Sequence, residues 1–197
     1  MVNPPGPEYE HMRYLKEPLP PSEDVTEEVR STVSEIIAAV EREGIAAVRR
    51  YSERFDDWSP DSFRVQQSDI DRAYAEIEES VETSSRFLID QVTGFAARQR
   101  ATLVDFEAET MPGVFLGQKW IPVDSVGAYS PGGAYPLIAS AVMTVATAKA
   151  ADVPRVLAVA PPRDQLGIHR PQLWAMVESG ADEMFCVGGV QALAGMA

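Results

Sequence analysis

The sequence is poor in the residues that carry most thiol and metal chemistry. Cysteine occurs once, at Cys186, and histidine twice, at His11 and His169. A single cysteine excludes an internal disulfide, and one thiol with two distant imidazoles makes no metal-ligand cluster. Basic charge is sparse too. Lys and Arg number 17 against 30 Asp and Glu, the net charge is −13, and no basic run is longer than Arg49-Arg50. That balance argues against a nucleic-acid partner, which needs a cationic footprint, and against an anionic membrane surface. Long apolar runs are missing as well. The longest, Leu137 to Ala148, is too short and too dotted with Thr and Ser to span a bilayer. The start, Met1-Val2-Asn3-Pro4-Pro5-Gly6-Pro7, has neither the basic region nor the apolar core of a secretory signal. A cytoplasmic address is the expectation.

What is present suffices for a core. At 197 residues, 45% of them hydrophobic, the chain is long enough for one large domain or two small ones. Residues 1–22 are proline-rich and polar and read as an extended arm. Asp24-Val25-Thr26-Glu27 has the form of a capping box, and Val29, Val33, Ile36, Ile37 and Val40 follow at helical spacing. Gly44 interrupts, and Ile45, Val48, Tyr51 and Phe55 begin a second stripe that Asp56-Asp57-Trp58-Ser59-Pro60 ends. Phe63-Arg64-Val65 reads as a short strand, Ser68 to Ile77 as a helix, and a longer helix runs through Phe87, Leu88, Val92, Phe95 and Ala96 to about Ala101. Arg98-Gln99-Arg100 is its solvated end, where cations suit the helix dipole. Val104 to Leu116, turning at Met111-Pro112-Gly113, reads as a β-hairpin.

The pattern then changes. Ser125–Tyr129 reads as a strand, Leu137–Ala151 as a helix, Arg155–Ala160 as a strand, Pro171–Ser179 as a helix and Glu183–Val187 as a strand. Pro171 suits a first helical turn, and Gly180 falls where a left-handed helix end favours glycine. Strand–helix–strand–helix–strand with short links implies a parallel sheet with right-handed crossovers. The fold class is therefore α/β, a helical N-terminal region plus an incomplete, Rossmann-like parallel βαβαβ sheet. Three segments follow: an arm over 1–22, a helical region with a β-hairpin over 23–117, and the Rossmann-like portion over 118–197. Cys186 closes the apolar run Met184-Phe185-Cys186-Val187 and reads as a buried core residue rather than a reactive thiol.

Two apolar strands each run into a glycine pair, Gly132-Gly133 and Gly188-Gly189, and each pair opens a helix. In open parallel sheets ligands bind beyond the carboxyl ends of the strands. Glycine lets the backbone approach a ligand, and free N–H groups at a helix start favour an anion such as a pyrophosphate. Tyr129 offers a ring face and a hydroxyl, and Gln191 an amide that both donates and accepts. Each feature has a plainer reading of equal or, for Tyr129, greater weight. A glycine pair at such a turn relieves crowding, Tyr129 is a core tyrosine, and Gln191 satisfies backbone groups at its helix start. The G-x-G-x-x-G fingerprint is absent.

Taken together these residues resemble the histidinol dehydrogenase family. The resemblance rests on Val126-Gly127-Ala128-Tyr129, Pro131-Gly132-Gly133, Met143, Thr147-Ala148-Lys149-Ala150, Pro161-Pro162, Gly180-Ala181-Asp182-Glu183 and Val187-Gly188-Gly189-Val190-Gln191-Ala192-Leu193-Ala194. Gly44, Tyr51, Phe55-Asp56, Phe95 and Gln99 extend it to nearly the whole chain from about residue 25. It implies a homodimeric enzyme, dependent on NAD and zinc, that oxidises a small-molecule alcohol through an aldehyde to a carboxylate. It assigns NAD binding to Tyr129 and Gln191, and so to the 118–197 portion. Ile138-Ala139-Ser140-Ala141-Val142-Met143 lacks the Pro-Ser element of histidine-making members. Tyr14-Leu15-Lys16, the Phe55-Asp56-Asp57-Trp58 turn and Gly133-Ala134-Tyr135-Pro136 look more like a paralogous branch that includes sulfopropanediol dehydrogenases. The family's catalytic Glu-His pair, zinc ligands and substrate contacts belong to a further half, and neither His11 nor His169 matches them. No catalytic or metal-binding residue is therefore expected here, the Rossmann-like portion is a truncated one, and the chain alone is expected to be inactive. The alternative of another class is a non-catalytic module that binds a nucleotide or a partner subunit.

Overall fold

A computed structural model describes residues 23–132 and 135–197. The expected arm over 1–22, Gly133, and the side chains of Asp24, Val25 and Thr26 in the expected capping box lie outside the described residues. The chain divides between Ser34 and Glu35 into two units, and of the first only the opening turns of α1 (Glu23–Glu43) are described.

In the second unit, glycine and alternating apolar residues set the element ends. Gly44, at φ +60°, stops α1 while its N–H donates to the Val40 carbonyl at 2.7 Å. The next helix, α2 (Ile45–Asp56), buries Ala47, Val48, Tyr51 and Ser52, and Asp57 in the left-handed region ends it. The helices α3 (Gln67–Glu76) and α4 (Glu79–Arg100) follow. At the start of α3 the Gln66 N–H donates to Asp69 Oδ2 at 3.3 Å. The expected hairpin forms from β1 (Phe106–Met111) and β2 (Val114–Gln118), paired antiparallel with every residue exposed.

The sheet is the parallel one expected. Its strands β3 (Ser125–Tyr129), β4 (Arg155–Ala160) and β5 (Glu183–Cys186) lie in the order β3-β4-β5, with α5 (Ile138–Ala150) and α6 (Arg170–Glu178) as crossovers. A last helix, α7 (Gly189–Met196), follows β5. The segment Phe63-Arg64-Val65 adds to the β5 edge as one antiparallel bridge. The Val65 N–H donates to Met184 O at 2.9 Å, and the Cys186 N–H to Phe63 O at 2.7 Å.

Alternation along the strands divides the core into two layers, since successive side chains point to opposite faces. Ala128, Val156, Ala158, Ala160, Met184 and Cys186 pack with α5 and α6, which α3 and α4 back. Val159, Val187, Tyr129 and Phe185 pack against α2, the end of α1, and Ala192 of α7. Helices cover both faces, as a parallel sheet requires. Trp174 of α6 is fully buried, with the Tyr74 ring tilted beside it at 6.2 Å and the Arg86 guanidinium 5.0 Å from its centre. On the other face a Cβ at Gly127 would stand 2.8 Å from Met196 Sδ, so a residue without a side chain lets α7 lie on β3.

Candidate functional site at the carboxyl edge of the sheet

All three parallel strands end at one edge, and the turns that follow are pinned to one another. After β3 the Ser130 N–H donates to Val159 O at 2.8 Å, and Ser130 is fully buried. The buried Gln172 of α6 donates its Nε2–H to Pro131 O at 2.9 Å, fixing the first turn to the helix beneath it. A Cβ on Gly132 would come within 2.9 Å of Pro161 Cγ, so close approach alone accounts for this glycine. After β5 the Val187 N–H donates to Ala160 O at 2.9 Å.

The second pair differs residue by residue. Gly188 is extended, at φ −106° and ψ 178°, a conformation any residue adopts. Space makes it glycine, because a Cβ there would stand 2.8 Å from both Asp56 Oδ2 and Pro161 Cβ. Gly189 has φ +67°, where a side chain strains the backbone, and its Cβ position lies 2.7 Å from Gln191 Oε1.

Tyr129 and Gln191, the two residues singled out from the sequence, meet at this second turn. The Gly189 N–H donates to the Tyr129 hydroxyl at 3.2 Å, tying the end of β3 to the start of α7. Tyr129 is half-buried, a packed tyrosine whose hydroxyl still reaches the turn. Gln191 is 1% exposed, and neither its Oε1 nor its Nε2 has a hydrogen-bond partner among the described residues. The amide therefore does not cap α7. Gln191 is among the residues that line a largely apolar cavity of about 540 Å³ on the α2–α7 face of the sheet, with Val48, Val159, Val187 and Met196.

Two polar groups at this edge were given no site role from the sequence. Asp56 ends α2 and places its carboxylate over Gly188, with Oδ2 buried and unpartnered among the described residues. Burial raises its pKa above the usual carboxylate value. Ser130 Oγ is likewise buried without a partner among the described residues. Neither carries a local signal, since the contact of Asp56 with Gly188 exists only after α2 and β5 have packed.

Cys186 is buried, as expected, and burial, followed by the charges of Asp56 and Asp69, pushes its thiol up to about 12. It stays protonated and is no nucleophile at neutral pH. His169 precedes α6, its Nδ1 buried without a partner among the described residues. Among the described residues, no three His, Cys, Asp or Glu side chains gather as metal ligands, and no helix is long and apolar enough to cross a membrane.

The geometry defines a class, an open parallel α/β sheet with glycine turns and polar side chains at its carboxyl edge. The family model for histidinol dehydrogenase matches residues 20–197. A histidinol dehydrogenase homolog of Shouchella clausii is 43% identical over 187 residues, covering 94% of this chain and 44% of the relative. The sulfopropanediol 3-dehydrogenase of Ruegeria pomeroyi is 40% identical over 186 residues, with 94% and 42% covered. A histidinol dehydrogenase of Methanosarcina mazei is 36% identical over 170 residues, with 86% and 39% covered. The crystal structure of histidinol dehydrogenase from Elizabethkingia anophelis shares the fold, with a TM-score of 0.82, 24% identity, and 98% of this chain and 43% of that one covered. The chain belongs to the histidinol dehydrogenase family, an oxidoreductase family. It spans less than half the length of these curated relatives.

Proposed function

We propose that the carboxyl edge of this sheet is the NAD-binding crevice of an alcohol dehydrogenase, with Tyr129 and Gln191 as contacts of the dinucleotide. The protein carrying the crevice oxidises an alcohol through an aldehyde to a carboxylate. The observation that supports this most is the Gln191 amide, 1% exposed and with both polar atoms unpartnered among the described residues. A buried amide without partners is costly, and a ligand that donates to Oε1 and accepts from Nε2 removes the cost. The glycines let the turns pack closely around this amide and Asp56, since a Cβ at Gly188 would crowd Asp56 Oδ2 and one at Gly189 would crowd Gln191 Oε1.

The Tyr129 ring and the Gln191 amide bind and orient, and Gly188 and Gly189 let the ligand approach the backbone. When bound, NAD would supply a hydride acceptor and zinc a Lewis acid toward the substrate hydroxyl. In this reading zinc and the catalytic base are held by residues other than those described, and this chain by itself does not turn over. Two relatives carry different substrates in their names, histidinol and sulfopropanediol. Identity is 40% to the second and 36% to the first, and both substrates are offered in the assay below. The same reading makes the protein a cytoplasmic homodimer, which sedimentation velocity of the purified protein tests.

The deciding assay uses the full-length protein with zinc and NAD, offered L-histidinol and sulfopropanediol in turn, with NADH followed by absorbance. Reduction of NAD with one of them, lost on removal of zinc, is expected. NAD binding without turnover of either substrate would favour the non-catalytic module.

A further inference from the structure

The second glycine turn is less suited to an anion than a helix start usually is. Its first N–H, at Gly189, already donates to the Tyr129 hydroxyl at 3.2 Å. A carboxylate stands over Gly188, so close that a Cβ there would be 2.8 Å from Asp56 Oδ2. A pyrophosphate at this point would bring a second negative group against Asp56, and like charges at such range repel strongly. The turn offers acceptors instead. Asp56 Oδ2 and Gln191 Oε1 are both buried without a donor among the described residues, and Gln191 Nε2 lacks an acceptor.

We infer that Asp56 is a further residue of the crevice, and that the turn between β5 and α7 receives the hydroxyls of the adenosine ribose of the dinucleotide, the ribose that carries the extra phosphate in NADP, rather than its pyrophosphate. This rests on the NAD reading above and deepens it. A vicinal diol supplies two donors, for Asp56 and Gln191 Oε1, and its oxygens accept from Gln191 Nε2. Asp56 is half-buried at the end of its helix, and the torsion that turns a carboxylate is broad, so Oδ2 reaches an incoming hydroxyl without moving α2. The same placement sets coenzyme choice. A phosphate on that ribose meets the Asp56 charge, so NAD is accepted and NADP rejected.

Calorimetric titration of the full-length protein with NAD and with NADP tests this, in the wild type, Asp56→Asn and Asp56→Ala. The wild type is expected to bind NAD at least tenfold more tightly than NADP. Asp56→Asn keeps the shape and removes the charge, so NAD affinity is expected to fall about tenfold, the loss of one hydrogen bond to a charged group. The preference for NAD over NADP is expected to shrink, and Asp56→Ala to follow in the same direction. That ratio is read on the folded fraction alone, so a partial loss of folded protein leaves it interpretable. Unchanged affinities and an unchanged ratio in both variants would overturn the role of Asp56 while leaving the NAD reading standing. A wild type that binds NADP as well as NAD would do the same. A wild type that binds neither dinucleotide would remove the NAD reading and this inference together.

Discussion

Replacing Gly188 and Gly189 separately by alanine probes the second turn, because the two glycines answer to different forces. At Gly189 the backbone has φ +67°, and an L-residue there costs about 1–2 kcal/mol. The new Cβ would also lie 2.7 Å from Gln191 Oε1, displacing the end of a flexible side chain. At Gly188 the backbone is extended and carries no strain, so the cost comes from crowding against Asp56 Oδ2 and the ring of Pro161, both at 2.8 Å. Overpacking of this kind costs about 1–3 kcal/mol. Asparagine separates the causes. It tolerates the left-handed region, so Gly189→Asn should be milder than Gly189→Ala, whereas Gly188→Asn, with more atoms to place, should be worse than Gly188→Ala. Gly94 in α4, with nothing within 4 Å of its Cβ position, is the control, and Gly94→Ala should stabilise by about 0.5–1 kcal/mol. Urea unfolding at constant m reads all five variants. Wild-type stability in Gly188→Ala, or the reverse order of the asparagine variants, would refute the close-approach explanation.

Cys186 should resist thiol reagents in the native protein, its thiol pushed up to about 12 by burial, and react only on unfolding; rapid stoichiometric labelling of native protein would contradict this. The pKa of His169 is lowered by burial and by the charge of Arg163, so between its folded and unfolded values the unfolded chain binds more protons. The stability it contributes is therefore present above the ordinary value near 6.5 and is lost as pH falls toward the lowered folded one. Melting temperature should drop over that window, and His169→Gln should flatten the drop. Asp182 accepts from the Val156 N–H at 2.7 Å and from Lys149 Nζ at 2.6 Å, and those bonds, Lys149 first, hold its pKa down. Asp182→Ala leaves the N–H at the start of β4 unpaired and should cost about 1–3 kcal/mol by thermal unfolding, mostly from that N–H, since the half-exposed Lys149 pair adds little.

Much of the sheet was legible because its signals are local. The limits of β3 and β4 follow from apolar runs bounded by turn residues, and Gly44 and Gly180 mark helix ends because glycine takes a positive φ without strain, here +60° and +95°. The hairpin followed from alternation about Pro112-Gly113. Which helices cover which face was not legible, because it depends on how α2 and α7 pack against Val159 and Val187. The short strand at Phe63–Val65 was readable as extended, but its place on the β5 edge was not. The site shows the same division. Tyr129 and Gln191 stand near glycines in sequence and were found there, although Gln191 proved to be buried and without a partner among the described residues rather than a cap. Asp56 lies at the end of a different helix, and only packing brings it over Gly188.

The most direct measurement is a crystal structure of the full-length protein with NAD bound. The dinucleotide is expected beyond the ends of β3 and β5, with the Gln191 amide hydrogen-bonded to it and Tyr129 in contact. NAD bound elsewhere, with Gln191 still buried and unpartnered, would contradict the assignment of this edge as the coenzyme crevice.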